Sequence, residues 1–442
     1  MHSLLVARLY QRKWLLIRLP VLACALLVMA FLFIVVWPMP PTRLSITTAG
    51  APGAYHSLGQ AYAKQFAERG VTLEVQVSEG SQQNIERLTA TKNPSDLAFM
   101  QGGFGYLGTS GDRRERSRIE TLANVSIEGA WLFTRGRPIA SLADLKGLRI
   151  AVGPDGGGSR RVALKLFDQA KIDLKSVTLS TQVGPAAADA LEQGLVDAVF
   201  FVAPPESTTL KRLLAQPKSQ LASLGKSAAI AERNPYLEPR LLAQGAFGNG
   251  LPLRDTTILT ATASLVARED LHPALKRLAL AVSTEVHTSA GLFHKAGDFP
   301  SLRRIDFPSA SEARPVLANG LPFLERTLSF WWAQFIQRLL VIALPVALLA
   351  WWLMQMLPNL LRWTLESRLS RWYGELKFIE NDLDLQHAEV PGMDLSQFLV
   401  RLNAIDTDLL NFHCPKDLMP RCYVLRQHVD FVRQRLYKVR GR

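Results

Sequence analysis

The fold is indicated by a strand, loop and helix unit that occurs twice, as LSITTAGAPGAY at residues 44–55 and as RIAVGPDGGGS at residues 149–159. In both copies a short apolar strand ends in a glycine-rich turn, and a helix follows the turn. The surrounding pattern predicts further strands at 71–77, 97–100, 177–179, 196–202 and 257–267, and helices at 54–69, 81–90 and 186–193. Short strands that alternate with helices predict two α/β lobes with mainly parallel sheets and a cleft between them.

Two apolar runs without charged residues, Leu19–Trp37 and Leu339–Leu357, enclose this region. Each is about nineteen residues long, which is enough for a helix to cross a hydrocarbon core of roughly 30 Å. The first run also fits a cleaved signal peptide. Because residues 37–41 lack a small-residue cleavage site, we expect the run to be retained as an anchor.

The charges beside the two runs set the expected topology. Basic residues precede the first run and follow the second, and such flanks stay in the cytoplasm. The region between the runs contains no cysteine, whereas Cys414 and Cys422 fall in the C-terminal tail, where we expect reduced thiols. The pattern indicates a bacterial plasma-membrane protein with two spans, both termini in the cytoplasm and the main domain in the periplasm.

The clearest periodicity lies in residues 360–442, where apolar side chains recur at alternating spacings of four and three. This pattern predicts an all-α helical bundle or coiled coil. We hypothesise that this tail mediates homo-oligomerisation or docks a cytoplasmic partner.

The predicted order along the chain follows from these segments. It is a cytoplasmic N-terminus (1–18), a first transmembrane helix (19–37), an extracytoplasmic two-lobed domain (43–330), a second transmembrane helix (339–357) and a cytoplasmic helical domain (360–442). We assign residues 43–135 and 250–315 to lobe 1, and residues 136–249 to lobe 2.

Several classes of function are disfavoured by the charges and motifs. The net charge is +13, but residues 38–337 hold 33 basic and 27 acidic residues, and no stacking-aromatic motif accompanies them, so we expect no nucleic-acid partner. The loop at 153–159 lacks the lysine of a nucleotide P-loop, and there is no G-x-S-x-G or H-E-x-x-H motif. We therefore expect no enzyme activity, no cofactor and no metal site. The small surplus of positive charge favours anionic ligands.

The two glycine loops fit an anion-binding site. Each places glycines between a strand and a helix N-terminus, where free N–H groups and the helix dipole favour negative charge. Ser159 can cap its helix or bind the ligand, and Arg160 can add a bidentate contact to a carboxylate. Two alternatives stay open: the glycines can serve tight turns only, and Tyr55 can pack in the core rather than line the cleft.

The order of the motifs resembles the TAXI group of solute-binding proteins, which are associated with TRAP transporters. These motifs are AGAPGAY at 49–55, SEGS at 78–81 with Asn84, DLAFMQ at 96–101, VGPDGGGS at 152–159 and LEQGLVDA at 191–198. The resemblance covers about residues 43–315. It implies a type II periplasmic-binding-protein fold that closes on a small, usually anionic solute such as an amino acid or carboxylate. The first loop departs from the family pattern at Ala49, Ala51 and Pro52, and the second at Arg160 and Arg161, which leaves the ligand's identity open.

We expect the ligand at the strand ends of both lobes, because open α/β sheets bind ligands there. The candidate ligand-binding residues are Gly50, Ala51, Tyr55, Ser78, Glu79, Gly80, Ser81, Asn84, Gln101, Gly102, Ser159, Arg160 and Ala203.

Two functions fit these expectations. The first is a membrane-anchored solute-binding protein that presents its solute to a TRAP-type permease. The second is a transmembrane receptor that signals ligand binding to the cytoplasmic helices, because a shuttle that visits a permease needs neither a second span nor a cytoplasmic bundle.

Overall fold

The computed structural model describes residues 14–51, 53–105, 117–136, 138–389, 396–414 and 416–440. They form two compact units, of which one is Pro40–Gln334 and the other combines the segments up to Met39 and from Phe335. Most of the predicted cytoplasmic N-terminus lies outside the described residues.

The Pro40–Gln334 unit is built on one sheet, whose strands among the described residues number ten. They are β1 (Arg43–Thr47), β2 (Thr72–Gln76), β3 (Leu97–Gln101), β4 (Ile119–Arg135), β5 (Arg149–Ala151), β6 (Thr178–Ser180), β7 (Ala198–Ala203), β8 (Ser219–Leu221), β9 (Glu238–Leu242) and β10 (Thr256–Arg268). The strand order is β2-β1-β3-β10-β4-β7-β5-β6, with β8 beside β4 and β9 beside β10.

Helices cover both faces of this sheet. They are α2 (Ala54–Ala67), α3 (Ser81–Thr89), α4 (Gly158–Gln169), α5 (Gly184–Gln193), α6 (Thr208–Ala215), α7 (Ser227–Arg233), α8 (Pro273–His287), α9 (Ala313–Asn319) and α10 (Phe323–Thr327). The sequence sets their ends locally: α5 begins with a proline in its first turn and ends at Gly194, whose backbone is left-handed.

The sheet divides into two lobes with separate apolar cores. At one end, β1 pairs in parallel with β2 and β3, and cores lie on both faces of these strands, under α2 and α8 on one side and α3 on the other. At the other end, β5 pairs in parallel with β6 and β7, between α4 on one face and α5 and α6 on the other. The predicted α/β architecture is confirmed, and the predicted bounds of the two lobes stay a prediction.

The two lobes share the long antiparallel strands β4 and β10. The first half of β4 pairs with β10 alone, whereas its second half also pairs with β7 and β8. The register between β4 and β10 shifts at Ala263/Ser264 and at Leu265/Val266. Such bulges bend a strand pair where they occur, so these shifts bend the strands that join the lobes.

The sequence did not predict β4. Its 17 residues are nearly all buried, and a strand buried on both faces lacks the polar alternation that reveals half-buried strands.

The second unit is helical. Its helix α1 (Leu19–Phe31) lies between π-helical turns at Trp14–Arg18 and Leu32–Val36. Helix α11 (Phe330–Arg338) begins within the last residues of the two-lobed unit, and α12 (Leu344–Glu389), α13 (Ser396–Asn411) and α14 (Met419–Arg440) follow it, with a π-helical turn at Leu339–Ala343. Two helical stretches, Leu16–Val36 and Phe330–Asp382, are long and apolar enough to cross a membrane.

Within this unit, the tail helices α12, α13 and α14 enclose one apolar core that includes Leu376, Leu402 and Val429. Closer to the apolar helices, Nη2 of Arg338 donates a 2.6 Å hydrogen bond to the backbone carbonyl of Phe33.

The cysteines of the tail differ from the sequence expectation. Cys414 and Cys422 form a disulfide with Cα atoms 6.8 Å apart, so the expected pair of reduced thiols is wrong for this structure. The two residues lie on either side of the turn between α13 and α14, which brings them within the distance that a disulfide spans.

Candidate functional site

The first loop of the candidate site follows β1. Gly50 and Ala51 are exposed, and the backbone N–H of Gly53 donates to the carbonyl of Gly50 over 2.8 Å. A Cβ added to Gly53 would overlap that carbonyl. Gly53 also precedes α2, which has no side-chain cap. The turn therefore presents an uncapped helix N-terminus at the carboxyl end of β1.

The second loop follows β2 and carries four candidates. Ser78 is buried, and its hydroxyl donates to the carbonyl of Thr48 and accepts from the N–H of Gly80. The hydroxyl of Ser81 accepts from the N–H of Gln101 over 3.0 Å. Glu79 is exposed at the rim. The two serine hydroxyls thus hold the loop, and Gly80, with φ of 135°, presents bare backbone.

Asn84 ties β1 to β3 from the first turn of α3. Its Nδ2 donates to the carbonyls of Thr48 and Phe99 at 2.7 and 2.9 Å, and its Oδ1 accepts from Thr47 at 2.8 Å. The residue is fully buried. Its amide therefore positions the strand ends, and its polar atoms are occupied by the protein itself.

The third loop precedes α4 in the other lobe. Ser159 accepts a 2.9 Å hydrogen bond from the N–H of Val202, which fixes the start of α4 beside the end of β7. Ala203, the last residue of β7, accepts from Nε1 of Trp131 through its carbonyl. Arg160 turns back onto its own loop, with Nε 2.9 Å from Asp155 and Nη1 3.2 Å from the carbonyl of Gly153.

The loops of the two lobes touch. Atoms of Gly156 and Gly157 lie 3.3 Å from the place of a Cβ on Gly80, and a Cβ on Gly158 would overlap Oε1 of Gln101. A Cβ on Gly80 would press on the backbone of the facing loop, and one on Gly158 would displace the side chain of Gln101. The structure therefore shows the cleft closed over the loops at 78–81 and 156–159.

The side chain of Arg161 contacts residues of the other lobe. Its Nη2 donates to Oε1 of Gln82 on α3 over 2.8 Å, and its guanidinium lies 4.6 Å from the centroid of the Phe104 ring. Burial lowers the pKa of Arg161 from its ordinary value. A charged donor is thus held in a partly dehydrated cleft.

Two side-chain donors in the cleft are buried without an acceptor among the residues that the structure describes. They are Nη1 of Arg161 and Nε2 of Gln101, and Gln101 is 5% exposed. Nearby, α3 and α4 begin after Gly80 and Gly157 without a side-chain cap. Buried donors normally have partners. Their convergence with two uncapped helix N-termini suits an anionic group.

An acid lies on the strand that the lobes share. Glu128 of β4 is 3% exposed, and its Oε2 accepts a 3.0 Å hydrogen bond from the hydroxyl of Tyr55, which lies in the first turn of α2. Burial raises the pKa of Glu128 to about 7, although the Tyr55 hydrogen bond opposes that rise. Tyr55 also packs 5.8 Å from the Phe99 ring and joins the core of its lobe.

The loop after β3 is held by an acid as well. The N–H of Gly102 donates to the carbonyl of Thr262 over 2.6 Å, and the N–H of Gly103 donates to Oδ2 of Asp306 over 2.5 Å. Burial raises the pKa of Asp306 to about 6. The N–H group of Gly102 therefore links the backbone after β3 to the backbone of β10.

Most of the predicted site residues lie near the strand ends of the sheet. The structure adds others that the sequence analysis missed. The added residues are Gln82, Phe104, Glu128 and Arg161. Arg161 follows Arg160 directly, and neighbours on a helix point about 100° apart, so spacing alone could not tell which arginine faces the cleft. Glu128 did leave a signal, since it is the one acid inside the apolar run of residues 121–134.

Comparison with known proteins gives one family and several distant structures. A model of the NMT1-like family matches residues 46–277. The periplasmic aliphatic sulphonate-binding protein of Escherichia coli is 17% identical with a TM-score of 0.36, over 56% of this chain and 73% of that chain. A protein of Prochlorococcus marinus in complex with methylphosphonate is 14% identical with a TM-score of 0.37, over 58% of this chain and 87% of that chain.

Proposed function

The chain belongs to the NMT1-like family, and we propose that its Pro40–Gln334 unit is an extracytoplasmic solute-binding domain. Its ligand is a small organic anion, an amino acid or a carboxylate, held in the cleft between the lobes. The bound solute then passes to a permease of the TRAP type, as the resemblance to the TAXI group implies.

One observation carries the proposal: two buried donors, Nη1 of Arg161 and Nε2 of Gln101, lack acceptors among the described residues and converge with uncapped helices. An unsatisfied buried donor costs roughly 1 to 3 kcal/mol. A carboxylate, sulfonate or phosphonate oxygen would satisfy both donors and the N–H groups of the loops at once.

The remaining candidates take two roles in this proposal. Backbone atoms of Gly50, Ala51, Gly80 and Gly102, with the side chains of Tyr55 and Glu79, line the cleft. Ser78, Ser81, Asn84, Ser159 and Ala203 hold the loops in place, as their hydrogen bonds indicate. Arg160 joins the ligand when its contact with exposed Asp155 opens.

We place the protein in a bacterial plasma membrane. The apolar helices over residues 19–37 and 339–357 cross it, the two-lobed domain lies outside, and both termini lie in the cytoplasm. Basic flanks on the inner side support this topology. The Cys414–Cys422 disulfide argues against it, since stable disulfides belong to oxidising compartments. Thiol labelling of Cys414 and Cys422 in intact and permeabilised cells decides between the two sides.

A thermal-shift screen of the full chain in detergent tests the function. Ligands that bind the folded state raise the unfolding temperature by mass action. We expect amino acids or carboxylates, added at millimolar concentration, to raise the unfolding temperature of the two-lobed unit. A shift with neutral sugars or nucleosides and none with any acid would refute the anionic site.

The alternative function is that of a transmembrane receptor, and one observation favours it. Helix α12 runs without a break from the second apolar run to Glu389, where its later turns join the core of the tail. A signal could travel along such a helix. Deletion of residues 360–442 separates the two functions, because a transport subunit keeps solute uptake without its tail and a receptor loses its response.

A further inference from the structure

Glu128 lies on the cleft side of the strand that joins the lobes, and no cation among the described residues pairs with it. None of the ion pairs among the described residues includes it, and its hydrogen bond comes from the neutral hydroxyl of Tyr55. It is 3% exposed. Acids this deeply buried are rare unless they are paired, because the charged form loses its hydration.

The strand register places Glu128 on the same face of the sheet as Gln101. Gln101 is opposite Ala263 of β10, and Ala263 is opposite Ser126 of β4. Residues directly opposite one another share a face, and so do residues two apart in a strand, so Glu128 shares that face too. The backbones of β3 and β4 are separated by β10 alone, which puts them roughly 10 Å apart.

The N-terminus of α4 adjoins the same position. Ser159 accepts from the N–H of Val202, which pairs with Ala130, and Ala130 is two residues beyond Glu128 on the same face. Two residues of strand span about 7 Å. Glu128 therefore lies within the length of a small molecule from the donors at the start of α4 and from Gln101.

We propose that the ligand carries a protonated amine as well as its anionic group, and that Glu128 binds the amine while Arg161, Gln101 and the start of α4 bind the anion. This inference rests on the proposed function and narrows its ligand class to amino carboxylates, amino sulfonates and amino phosphonates. A ligand with negative charge only would bring that charge close to the buried carboxyl group of Glu128. It would make no favourable contact with that group.

The electrostatics of the acid agree with this assignment. With a pKa near 7 in the closed cleft, the carboxyl group is partly protonated at neutral pH, and a neighbouring cation favours the carboxylate. Tyr55 keeps one oxygen in place. A ligand ammonium would then donate a short, charge-assisted hydrogen bond to an acceptor that is already fixed.

Matched pairs of probes test the inference on the full chain in detergent by isothermal titration calorimetry. The pairs are glutamate and glutarate, γ-aminobutyrate and butyrate, and taurine and ethanesulfonate. We expect the amino member of at least one pair to bind 10-fold or more tightly than its partner. Glu128→Gln should weaken that amino member about 10- to 100-fold and change its partner by less than about 3-fold, since the lost contact is charge-assisted.

Two further variants separate recognition from structure. Glu312→Gln changes another partly buried acid of the same lobe and should leave every affinity within about 2-fold. Tyr55→Phe keeps the carboxyl group and removes its donor. It should keep the preference for amino members, which provides a test if Glu128→Gln does not fold.

The outcomes also separate this inference from the proposed function. If glutarate, butyrate or ethanesulfonate binds and no amino member of any pair binds more tightly than its partner, the function stands and the inference falls. Equal weakening of both members of a pair by Glu128→Gln also overturns the inference, because the residue is then structural. If none of the six probes binds while a neutral sugar does, both the inference and the anionic site are refuted.

Discussion

Nη2 of Arg161 and Oε1 of Gln82 lie 2.8 Å apart, and the two residues stand on helices of opposite lobes. The hydrogen bond therefore joins the two lobes in the closed structure. The same guanidinium lies over Phe104 and keeps Nη1 without an acceptor among the residues that the structure describes. In the closed structure, the positive charge of Arg161 therefore lies in the cleft, and its Nη1 is available there as a donor to a ligand.

Replacement of Arg161 should weaken the proposed ligand more than replacement of its neighbour. Arg161→Ala removes a buried charged donor, so we expect the dissociation constant to rise about 10- to 100-fold. Arg160→Ala should raise it less, because Arg160 is engaged by Asp155 and by the carbonyl of Gly153. Calorimetry with the best ligand of the screen measures both. The reverse ranking would show that Arg160 is the arginine that reads the anion.

A side chain at Gly158 should prevent closure. The Cβ of Gly158→Ala would overlap Oε1 and Cδ of Gln101, so either the lobes stay further apart or the buried Gln101 side chain has to move. We expect a longer distance between spin labels at exposed Lys92 and Lys175, in a chain whose native cysteines are replaced, and a loss of affinity of about 10-fold or more. Gly374→Ala is the matched control, since nothing lies within 4 Å of its added Cβ. An unchanged label distance with lost affinity would show that the Gln101 side chain moves instead, and no change in either quantity would contradict the closed contact.

Loss of the Asn84 amide should destabilise the protein. Asn84→Ala removes three hydrogen bonds, so the carbonyl of Phe99 and the hydroxyl of Thr47 lose their amide partner, whereas the carbonyl of Thr48 keeps its bond from Ser78. We expect a decrease of about 2 to 4 kcal/mol in the free energy of unfolding. Urea unfolding of the full chain, followed by near-UV circular dichroism, measures it. The control Asn319→Ala, at an exposed site, should change the free energy by less than about 0.5 kcal/mol.

Glu128 should make stability depend on pH in a definite direction. Its pKa is about 7 in the folded protein and 4.5 ordinarily, so its protonated form stabilises the fold and that contribution is lost as pH rises from 4.5 through 7. The loss is on the order of 3 kcal/mol. Glu128→Gln should therefore be more stable than the parent at pH 8 and about equal to it at pH 4.5.

The comparison of the two chains isolates Glu128 from the other buried titratable groups. Asp306 also has a raised pKa, so its contribution to the stability of the fold also decreases as pH rises. Burial lowers the pKa of His287 to about 4, so the contribution of His287 is lost as pH falls. Both are present in the parent and the variant. A stability difference that stays constant between pH 4.5 and 8 would show that Glu128 does not titrate in this range.

The sequence predicted the parts of the fold that repeat a local pattern. The helices expected at 54–69 and 81–90 occur at 54–67 and 81–89, because their apolar periodicity and the loops before them are local features. The strand β4 escaped notice, since its residues are apolar toward both faces and its partners lie more than sixty residues away along the chain. Pairing at that distance leaves no local trace.

The candidate site also has a part that could be predicted from the sequence and a part that could not. Glycine loops at strand ends could be predicted, because their chemistry is local to the loop. The role of Asn84 could not, since its amide bonds to Thr48 and Phe99 depend on how β1 and β3 come together. The disulfide between Cys414 and Cys422 escaped prediction because the topology inferred from basic flanks placed both thiols in a reducing compartment.

The length of helix α12 determines which movements outside the membrane could reach the tail. Its 46 residues span about 69 Å, more than twice the roughly 30 Å of a bilayer's hydrocarbon core. With α12 across the membrane as proposed, a rotation at its outer end would be passed along the helix toward the tail. Pro358 interrupts the hydrogen-bond ladder inside the helix and is the one residue where that rotation could be converted into a sideways swing.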